Sequence, residues 1–373
     1  MGRNEREIEE RALWSWFLGI PISYIGQRKL IEHFKSPGKV MEASEQEISQ
    51  IIGKIQPAVE YLKERRNTDW RKAYVILEER GIHLTIKGES DYPKALQPLS
   101  DAPFGLYHSG RLPDEEVCVS IVGSRSCSRY GLEVAASLGR VLAEAGAAVI
   151  SGMALGIDGA GQWAALEQGG RSYAVLGSGI DICYPKENRR LYDRLIKEGG
   201  LISEFPPGSP PHAWHFPVRN RIISGLSRAL VVVEARRRSG SLITADLALE
   251  QGREIYAVPG RVTDSLSQGC NELIRSGAGI VLSPETLLEE LDITSRYNKK
   301  NSKKFSNRLA ENEKLVYSCL DLTPKSTEAI SRETDRSIAE VTELLIALQL
   351  KGLAVETGIG YYALAGKERI CCR

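Results

Sequence analysis

Between residues 117 and 291 the sequence alternates short apolar segments with longer segments of helical periodicity, and this alternation restricts the fold more than any other feature. Short buried strands that alternate with helices of about 10–16 residues are the repeat of a parallel sheet covered by helices on both faces. The predicted strands are Val117–Val122, Ala147–Ile150, Tyr173–Leu176, Ala229–Val233, Glu254–Ala257 and Gly279–Leu282. The predicted helices are Tyr130–Ala145, Ile157–Gln168, Glu187–Lys197, Val218–Leu226, Leu242–Gln251, Asn271–Ser276 and Pro284–Glu290. The sequence therefore predicts an α/β fold with a Rossmann-like, doubly wound parallel sheet.

The regions on either side of this alternation follow other patterns, which divide the chain into domains. Apolar residues at helical spacing and glycine-containing turns in residues 1–66 predict a small helical domain of the SAM or helix-hairpin-helix type. Such a unit either clamps a DNA backbone or serves as a packing module, and the sequence leaves both possibilities open. We assign residues 67–292 to the extended Rossmann-like domain and residues 293–309 to a basic, polar linker.

Residues 310–366 are expected to form a winged-helix-like domain, because three helical patterns are followed by two apolar segments. The predicted helices are Glu311–Asp321, Thr327–Glu333 and Ile338–Lys351, and the predicted strands are Leu353–Glu356 and Tyr361–Leu364. The candidate recognition helix carries Glu340 and Glu343 against one lysine, Lys351. Such a helix is poorly charged for a DNA groove, so we expect it to contact protein.

The composition is that of a globular protein, and it bears on the partner through local charge. The 373 residues suffice for two or three domains, and the formal net charge is +1. Residues 216–241 nevertheless contain six arginines and one acidic residue, Glu234, and such clusters attract polyanions. Seven cysteines without CxxC spacing are typical of a reducing compartment. The charged first residues and the lack of an apolar run of about 20 residues predict a cytoplasmic protein without a signal peptide or membrane span.

The first candidate site is the turn Gly123-Ser124-Arg125, which follows the first predicted core strand. In a strand–turn–helix unit, backbone N–H groups and the positive end of the helix can face an anion. Arg125 and Arg129 would add forked donors that suit phosphate. The turn lacks G-x-G-x-x-G spacing and an acidic residue about 20 positions later, which argues against a dinucleotide cofactor. A plain turn with surface arginines is the alternative.

Two further turns carry glycines and cations. Gly152 and Gly156 would let the turn after the second strand approach a ligand closely. Asp158 either contacts that ligand or stabilises the helix N-terminus electrostatically. Beyond the third strand, Tyr184 either stacks on a base or packs beside the following proline. The cations placed to reach phosphates in this region are Lys186, Arg189 and Arg190.

The segment Arg219-Asn220-Arg221, within a predicted helix, carries the strongest signal. Arginines two positions apart on a helix point in directions about 200° apart. One is therefore expected to face the crevice and the other to pack or pair elsewhere. Asn220 either bonds to base edges or caps a loop.

Two later loops complete the candidate site. The segment Arg236–Ser241 predicts another strand-to-helix anion site, with Ser239 and Gly240 in its turn and Thr244 one turn into the helix. A solvated basic loop is the alternative. Asn271 lies in a further loop, where its side chain would make a polar contact to a base.

No catalytic set can be assembled from the sequence. His212 and His215 have H-x-x-H spacing but lie in a proline-rich loop without nearby cysteines or carboxylates, so we expect no metal site. No Ser-His-Asp or paired-carboxylate arrangement can be assigned. We therefore expect neither catalytic residues nor a cofactor.

Taken in order, the motifs resemble those of the DprA/Smf family, the DNA-processing protein A of bacterial natural transformation. The matching segments over residues 117–279 are IVGSRSCSRYG, VISGMALGIDGAG, LGSGIDICYPKEN, FPVRNRIISGLS, SGSLITADLALEQGREIYAVPG and QGCNELIRSGA. The resemblance implies a core that binds single-stranded DNA, forms a homodimer and helps to load the RecA recombinase, without an established enzymatic step. The DNA-contacting positions that it implies are Gly123, Ser124, Arg125, Lys186, Arg219, Asn220, Arg221, Ser239, Gly240 and Asn271.

Two other functions stay open at the level of the sequence. A nucleoside-phosphate hydrolase of the lysine-decarboxylase-like Rossmann group would also place glycine turns at strand ends. That group carries an acidic residue beside a PGGxGT-type turn, where this chain has Arg-Arg-Arg-Ser-Gly-Ser. The second alternative is a small-nucleotide sensor that signals through the winged-helix-like domain.

Overall fold

The structure of the chain is a computed structural model, which describes residues 5–64, 68–114, 116–293, 310–321, 323–351 and 353–364. The chain divides into two compact units, Met1–Ile293 and Thr294–Arg373. The predicted linker at 293–309 lies outside the described residues, except for Ile293. Among the described residues, no helix is long and apolar enough to cross a membrane.

A nine-stranded sheet forms the centre of the first unit. Its strands are β1 (His83–Ile86), β2 (Gly105–Gly110), β3 (Cys118–Val122), β4 (Ala148–Ser151), β5 (Ser172–Val175), β6 (Gly200–Ser203), β7 (Ala229–Val232), β8 (Glu254–Ala257) and β9 (Gly279–Ile280). Their order in the sheet is β1-β2-β6-β5-β4-β3-β7-β8-β9. The strands from β6 to β9 in this order are all parallel, whereas β1 and β2 pair antiparallel at one edge. The parallel part of the sheet therefore starts in the middle with β3, winds outward to β6, and winds the other way from β7.

Helices cover both faces of this sheet, as the sequence predicts. In the core region they are α7 (Arg129–Glu144), α8 (Ile157–Glu167), α9 (Arg189–Glu198), α10 (His215–Gly225), α11 (Gly240–Glu250), α12 (Gln268–Arg275) and α13 (Pro284–Glu290). Alternate residues of β3 belong to different hydrophobic clusters: Val119 and Ile121 pack with α7, α8 and α13, whereas Val122 packs with α10, α11 and α12. This alternation follows from the two-residue period of a strand, and it confirms the doubly wound arrangement.

Six helices precede or flank the first strand. They are α1 (Glu5–Leu18), α2 (Tyr24–Phe34), α3 (Pro37–Glu42), α4 (Glu45–Ile52), α5 (Gln56–Glu64) and α6 (Trp70–Glu79). Trp16 and Phe17 of α1 are fully buried, in the same hydrophobic cluster as Leu84 of β1 and Tyr107 of β2. The Tyr107 hydroxyl lies 3.0 Å from the Ser15 hydroxyl. The helices thus share one core with the outer strands, and the domain boundary after residue 66 stays a prediction.

The second unit has a core of its own. Its elements are α14 (Glu311–Ser318), α15 (Thr327–Thr334), α16 (Ile338–Leu350), β10 (Lys325–Ser326), β11 (Ala354–Gly358) and β12 (Tyr361–Leu364). The strands form an antiparallel sheet in the order β10-β12-β11, and Val316, Ile330, Val341 and Leu345 are fully buried. The three predicted helices and the hairpin are confirmed, and β10 is an additional short strand. The winged-helix assignment stays a prediction.

One strand of the parallel part of the sheet, from β3 to β9, was not predicted. Strand β6 has the sequence Gly-Leu-Ile-Ser, which is too short and too weakly apolar to stand out from the helix before it. All four of its residues are buried because β6 lies between β2 and β5. Helix α12 begins at Gln268, three residues before the predicted start, and most other core elements lie within two residues of their predicted bounds.

Candidate functional site

The candidate residues follow parallel strands, so the sheet collects their turns at one edge. The turns concerned come after β3, β4, β5 and β7, which are neighbours in the order β5-β4-β3-β7. Because the direction of winding changes between β3 and β7, their carboxyl ends form the crevice where doubly wound sheets usually bind ligands. The turns predicted to bind anions therefore lie together at this edge of the sheet.

In the crevice between β3 and β7, a carboxylate of the protein itself occupies the N-terminus of α7. Glu234 follows β7 and is 3% exposed. Its two carboxylate oxygens accept the Ser128 backbone N–H at 2.8 Å and the Ser128 hydroxyl at 2.5 Å. A Cβ atom on Gly131 would lie 2.5 Å from the same carboxylate. Glu234 therefore supplies negative charge at this helix end in the structure, and the predicted contact of the helix end with a ligand anion stays a prediction.

The turn after β3 contributes one exposed cation. A Cβ atom on Gly123 would lie 2.7 Å from Ile157, so this glycine lets α8 pack against the turn. The backbone N–H of Ser124 donates to the backbone carbonyl of Glu234 at 2.8 Å. The Arg125 side chain is exposed, with its guanidinium 5.3 Å from the centre of the Phe216 ring. Of the three residues in this turn, Arg125 is the one that offers charge to a ligand.

Arg129 is the first residue of α7 and its side chain is exposed. Its Nε is 2.9 Å from the carboxylate of Glu133, four residues later on the same helix. Exposed pairs of this kind contribute little and open easily. Arg129 is therefore available at the surface, though with a competing carboxylate.

Arg219 is buried beneath the turns that follow β4 and β5. Its guanidinium donates to the carbonyl oxygens of Gly152, at 3.1 Å, and Val175, and the residue is 4% exposed. Desolvation lowers the pKa of Arg219 to about 10, against the opposing effect of Asp158. Burial raises the pKa of the Asp158 carboxyl, and the charge of Arg219 opposes that rise. In this structure the Arg219 guanidinium thus bonds to backbone carbonyls after or at the ends of β4 and β5, and its predicted contact with a phosphate stays a prediction.

The glycines after β4 serve this internal arrangement. A Cβ atom on Gly152 would lie 2.7 Å from the Arg219 guanidinium, and the Gly152 N–H donates to Asp158 at 3.1 Å. Gly156 has a φ of 79°, and a Cβ atom there would lie 2.4 Å from the carbonyl oxygen of Ser124. Both glycines allow protein groups, rather than a ligand, to approach the turn. Asp158 likewise contacts the turn, through the Gly152 N–H.

Arg221 is the second buried arginine of α10. Its Nη2 lies 2.5 Å from a carboxylate oxygen of Glu204, just after β6, and its Nε lies 3.7 Å from Asp101. The guanidinium also lies 5.4 Å from the Tyr24 ring of α2. Burial raises the pKa of Glu204, and the charge of Arg221 opposes this rise. In this structure Arg221 therefore links α10 to Glu204 after β6 and to Tyr24 of α2, and its predicted contact with a phosphate stays a prediction.

The remaining polar candidates hold turns together. Asn220 accepts from Arg219 at 3.3 Å and makes a long contact of 3.5 Å to the Gly240 carbonyl. Ser239 caps α11, where its hydroxyl accepts the Ser241 N–H at 3.4 Å. Asn271 bonds through both ends of its amide to the backbone of Gly260, at 3.2 and 3.0 Å. The Asn271 amide thus holds the Gly260 backbone in this structure, and its predicted base contact stays a prediction.

Thr244 and Gly240 belong to the first turn of α11. The buried Thr244 hydroxyl donates to the Gly240 carbonyl at 3.3 Å. No atom lies within 4 Å of a Cβ built on Gly240, so the space beside it is open. Gly240 thus stays accessible at the surface, whereas Thr244 faces inward.

The exposed cations of this edge form what we call the cationic rim. Its members, all with exposed side chains, are Arg125, Lys186, Arg190, Arg236, Arg237 and Arg238. Within the described residues, the ion pair recorded for the rim joins Arg237 to Glu272, with a distance of 3.7 Å. Arg189, at the start of α9, instead pairs with Asp193 at 2.9 Å and lies over the Tyr192 ring. The rim therefore concentrates weakly neutralised positive charge at the carboxyl edge of the sheet.

Aromatic rings accompany these cations, and the sequence singled out only one of them. Phe216, at the start of α10, lies 5.6 Å from the half-exposed ring of Tyr184, and the guanidinium of Arg125 lies over it. A Cβ atom on Gly177 would lie 2.8 Å from the Phe216 ring, so this glycine seats the ring on the end of β5. The signal that would have found Phe216 is its position next to the basic helix. Flat rings beside cations are suited to an anion that also carries flat groups.

The comparison with known proteins agrees with this architecture. The family model for DNA recombination-mediator protein A matches residues 83–292. The DNA processing protein DprA of Streptococcus pneumoniae is 45% identical over 204 residues, which cover 54% of this chain and 71% of that protein. An X-ray structure of DNA processing protein A from the same organism superposes with a TM-score of 0.63 and 36% identity, covering 78% of this chain and 99% of that one.

A second solved structure is also similar to this chain. It is a DNA processing protein A from Helicobacter pylori, described for its single-stranded DNA binding mode, with a TM-score of 0.51 and 28% identity. It covers 56% of this chain and 95% of the other. Residues 83–292, which the family model matches, contain the nine-stranded sheet and every turn discussed above. The chain belongs to the DprA/Smf family of DNA recombination-mediator proteins.

Proposed function

We propose that the cationic rim binds single-stranded DNA without sequence preference and holds it for transfer to a RecA-type recombinase. Arg125, Lys186 and Arg236–Arg238 neutralise phosphates, while Phe216 and Tyr184 contact bases. Gly123, Ser124, Ser239 and Gly240 shape the turns that carry the rim. Arg219, Asn220, Arg221 and Asn271 support the surface from within and are not assigned as direct contacts.

One observation carries the proposal: exposed cations from three separate turns lie at the same edge of the sheet, with few carboxylates to neutralise them. A rim of this kind suits a flexible chain of phosphates, which can follow charges spread along an edge. The described single-stranded DNA binding of the Helicobacter pylori relative supports the same assignment.

A homodimer of the chain would hold two strands, or two segments of one strand, close together. The outer edge of the sheet supports this possibility, since Ile280 of β9 is 41% and Leu282 75% exposed. Two rims on one assembly would bind a long strand more tightly than either alone, provided that the spacing allows simultaneous contact. We place this activity in the cytoplasm, and we propose that the winged-helix-like domain contacts protein.

We further propose that the protein acts by binding alone, without catalysing a reaction on DNA or on nucleotides. At the crevice between β3 and β7, the carboxylate of Glu234 is engaged by Ser128 and is 3% exposed, which leaves it poorly placed as a general base. Incubation with AMP tests this point. Release of free adenine in step with protein concentration would contradict it.

The salt dependence of binding to a 20-residue oligothymidylate tests the rim. If four phosphates are engaged per protomer, the logarithm of the affinity falls against the logarithm of the salt concentration with a slope of about −3. Arg125→Ala and Lys186→Ala should each make the slope shallower by about 0.7. Fluorescence anisotropy at several salt concentrations measures this slope.

Arg228→Ala is the matched control. Arg228 is also an exposed arginine, but it immediately precedes β7 and so lies at the opposite edge of the sheet, 3.7 Å from Glu254. Its replacement should leave the slope unchanged. If Arg125→Ala and Arg228→Ala make the salt slope shallower by the same amount, or if neither changes it, the rim is not the DNA-binding surface.

A further inference from the structure

The loop between β6 and α10 presents a tryptophan to solvent beside the cationic rim. Trp214, the residue before α10, is 59% exposed. Trp214 occupies the N-cap position of α10, but its side chain makes no capping hydrogen bond. The indole is therefore not needed to begin α10, and its exposure calls for another explanation.

Neighbouring rings hold the indole in a defined orientation. The His215 ring meets it edge to face at 4.1 Å, the Phe205 ring lies at 6.2 Å, and the His212 ring is nearly parallel to it at 6.3 Å. His215 is itself buried, stacked on Phe205 at 3.8 Å. Its Nδ1 lies 3.0 Å from the carbonyl oxygen of Gly177, at the end of β5. The scaffold under Trp214 is thus anchored to the sheet, so its exposed face is ordered in advance of binding.

The position of this face connects it to the rim. Trp214 lies two residues before Phe216, whose ring contacts Tyr184 and lies below the Arg125 guanidinium. The same loop packs on the turn after β5, where Gly179 donates to the carbonyl of Ser209 at 2.8 Å. Cations and exposed rings therefore follow one another along a single edge. This combination fits a strand of phosphates and bases better than a protein surface, which would need acidic side chains to match the rim.

We propose that Trp214, supported by His212, is a base-stacking site that receives one nucleobase of a single strand next to the phosphates bound at Arg125. This inference rests on the proposed function and deepens it. Stacking on an aromatic ring contributes to the binding of any base, because every base has a flat face. The site therefore adds affinity for the bases of the strand without adding sequence preference.

Two ligands of equal charge separate stacking from phosphate contact: a 20-residue oligothymidylate and an abasic phosphodiester of the same length. Trp214→Ala should weaken binding of the oligothymidylate by about 5- to 150-fold and leave binding of the abasic chain unchanged. Trp214→Phe keeps a smaller ring, so its affinity for the oligothymidylate should lie between those of the wild-type protein and Trp214→Ala. Quenching of indole fluorescence by the oligothymidylate should also be reduced in the Phe variant.

Tyr361→Ala provides the matched control, because Tyr361 is another half-exposed aromatic residue but belongs to the second unit. It should change neither affinity. Equal losses for both ligands in Trp214→Ala, or no loss for either, would overturn the stacking site while leaving phosphate binding by the rim intact. Failure of the wild-type protein to bind either ligand would overturn the proposed function as well. Unchanged thermal midpoints in both Trp214→Ala and Trp214→Phe exclude misfolding as the cause of any loss.

Discussion

Two arginine-rich segments of this protein, Arg219–Arg221 and Arg236–Arg238, have similar compositions and opposite environments. The first lies on α10, between the sheet and the N-terminal helices, and both of its arginines are buried against carboxylates or strand-end carbonyls. The second lies in the turn before α11, and its arginines are exposed. The difference teaches that an arginine cluster signals a ligand only where the fold leaves its guanidinium groups without internal partners.

The largest effect is expected on stability, when a buried arginine of the first segment is replaced. Arg219→Ala should lower the free energy of unfolding by about 3–5 kcal/mol, because Asp158 and two strand-end carbonyls would lose their partner in a desolvated site. Urea denaturation followed by circular dichroism measures the change. Arg236→Ala is the control and should change stability by no more than about 0.5 kcal/mol. Equal stability of the two variants would contradict the contrast between the segments.

The exposed segment is expected to act on binding instead. Replacing Arg236, Arg237 and Arg238 together by alanine should make the salt slope for oligothymidylate shallower by about 1.4, because two of the four proposed phosphates remain for this segment after Arg125 and Lys186. The far-ultraviolet circular dichroism spectrum should stay the same. A triple variant that loses stability but keeps its salt slope would show that these arginines are structural after all.

The smallest effect concerns pH and the start of α10. Burial lowers the pKa of His215 below its usual value near 6.5, so the folded protein holds the ring neutral while the unfolded chain takes up a proton. Stability should therefore fall as the pH decreases below about 6.5, by less than about 1.4 kcal/mol per pH unit, and level off below the folded pKa. His215→Phe, which keeps a ring against Phe205, should show a weaker dependence between pH 7.5 and 5.5. Identical pH profiles would contradict this account.

The sequence predicted the scaffold of the candidate site better than its contacts. Glycine turns after apolar segments located the ends of β3, β4, β5 and β7, because local periodicity and turn residues report directly on backbone structure. Strand β6 escaped prediction since its burial comes from its neighbours and not from its own four residues. The aromatic contacts of Phe216 and Trp214 also escaped prediction, because Phe216 meets Tyr184 and Trp214 meets His215 only once the proline-rich loop packs on the turn after β5.

By itself, the sequence determined that this chain forms a doubly wound α/β sheet whose basic turns gather at one edge. Strands and helices can be recognised from the spacing of apolar residues within short segments of the chain. Tertiary structure decided which cations remain free. Arg219 meets Asp158 and Arg221 meets Glu204 only after the sheet has assembled, and Glu234 reaches the start of α7 in the same way. These partners are far apart along the chain, and charge pairing depends on distance in space. The surface left to a ligand is therefore what remains after the fold has satisfied its own charges.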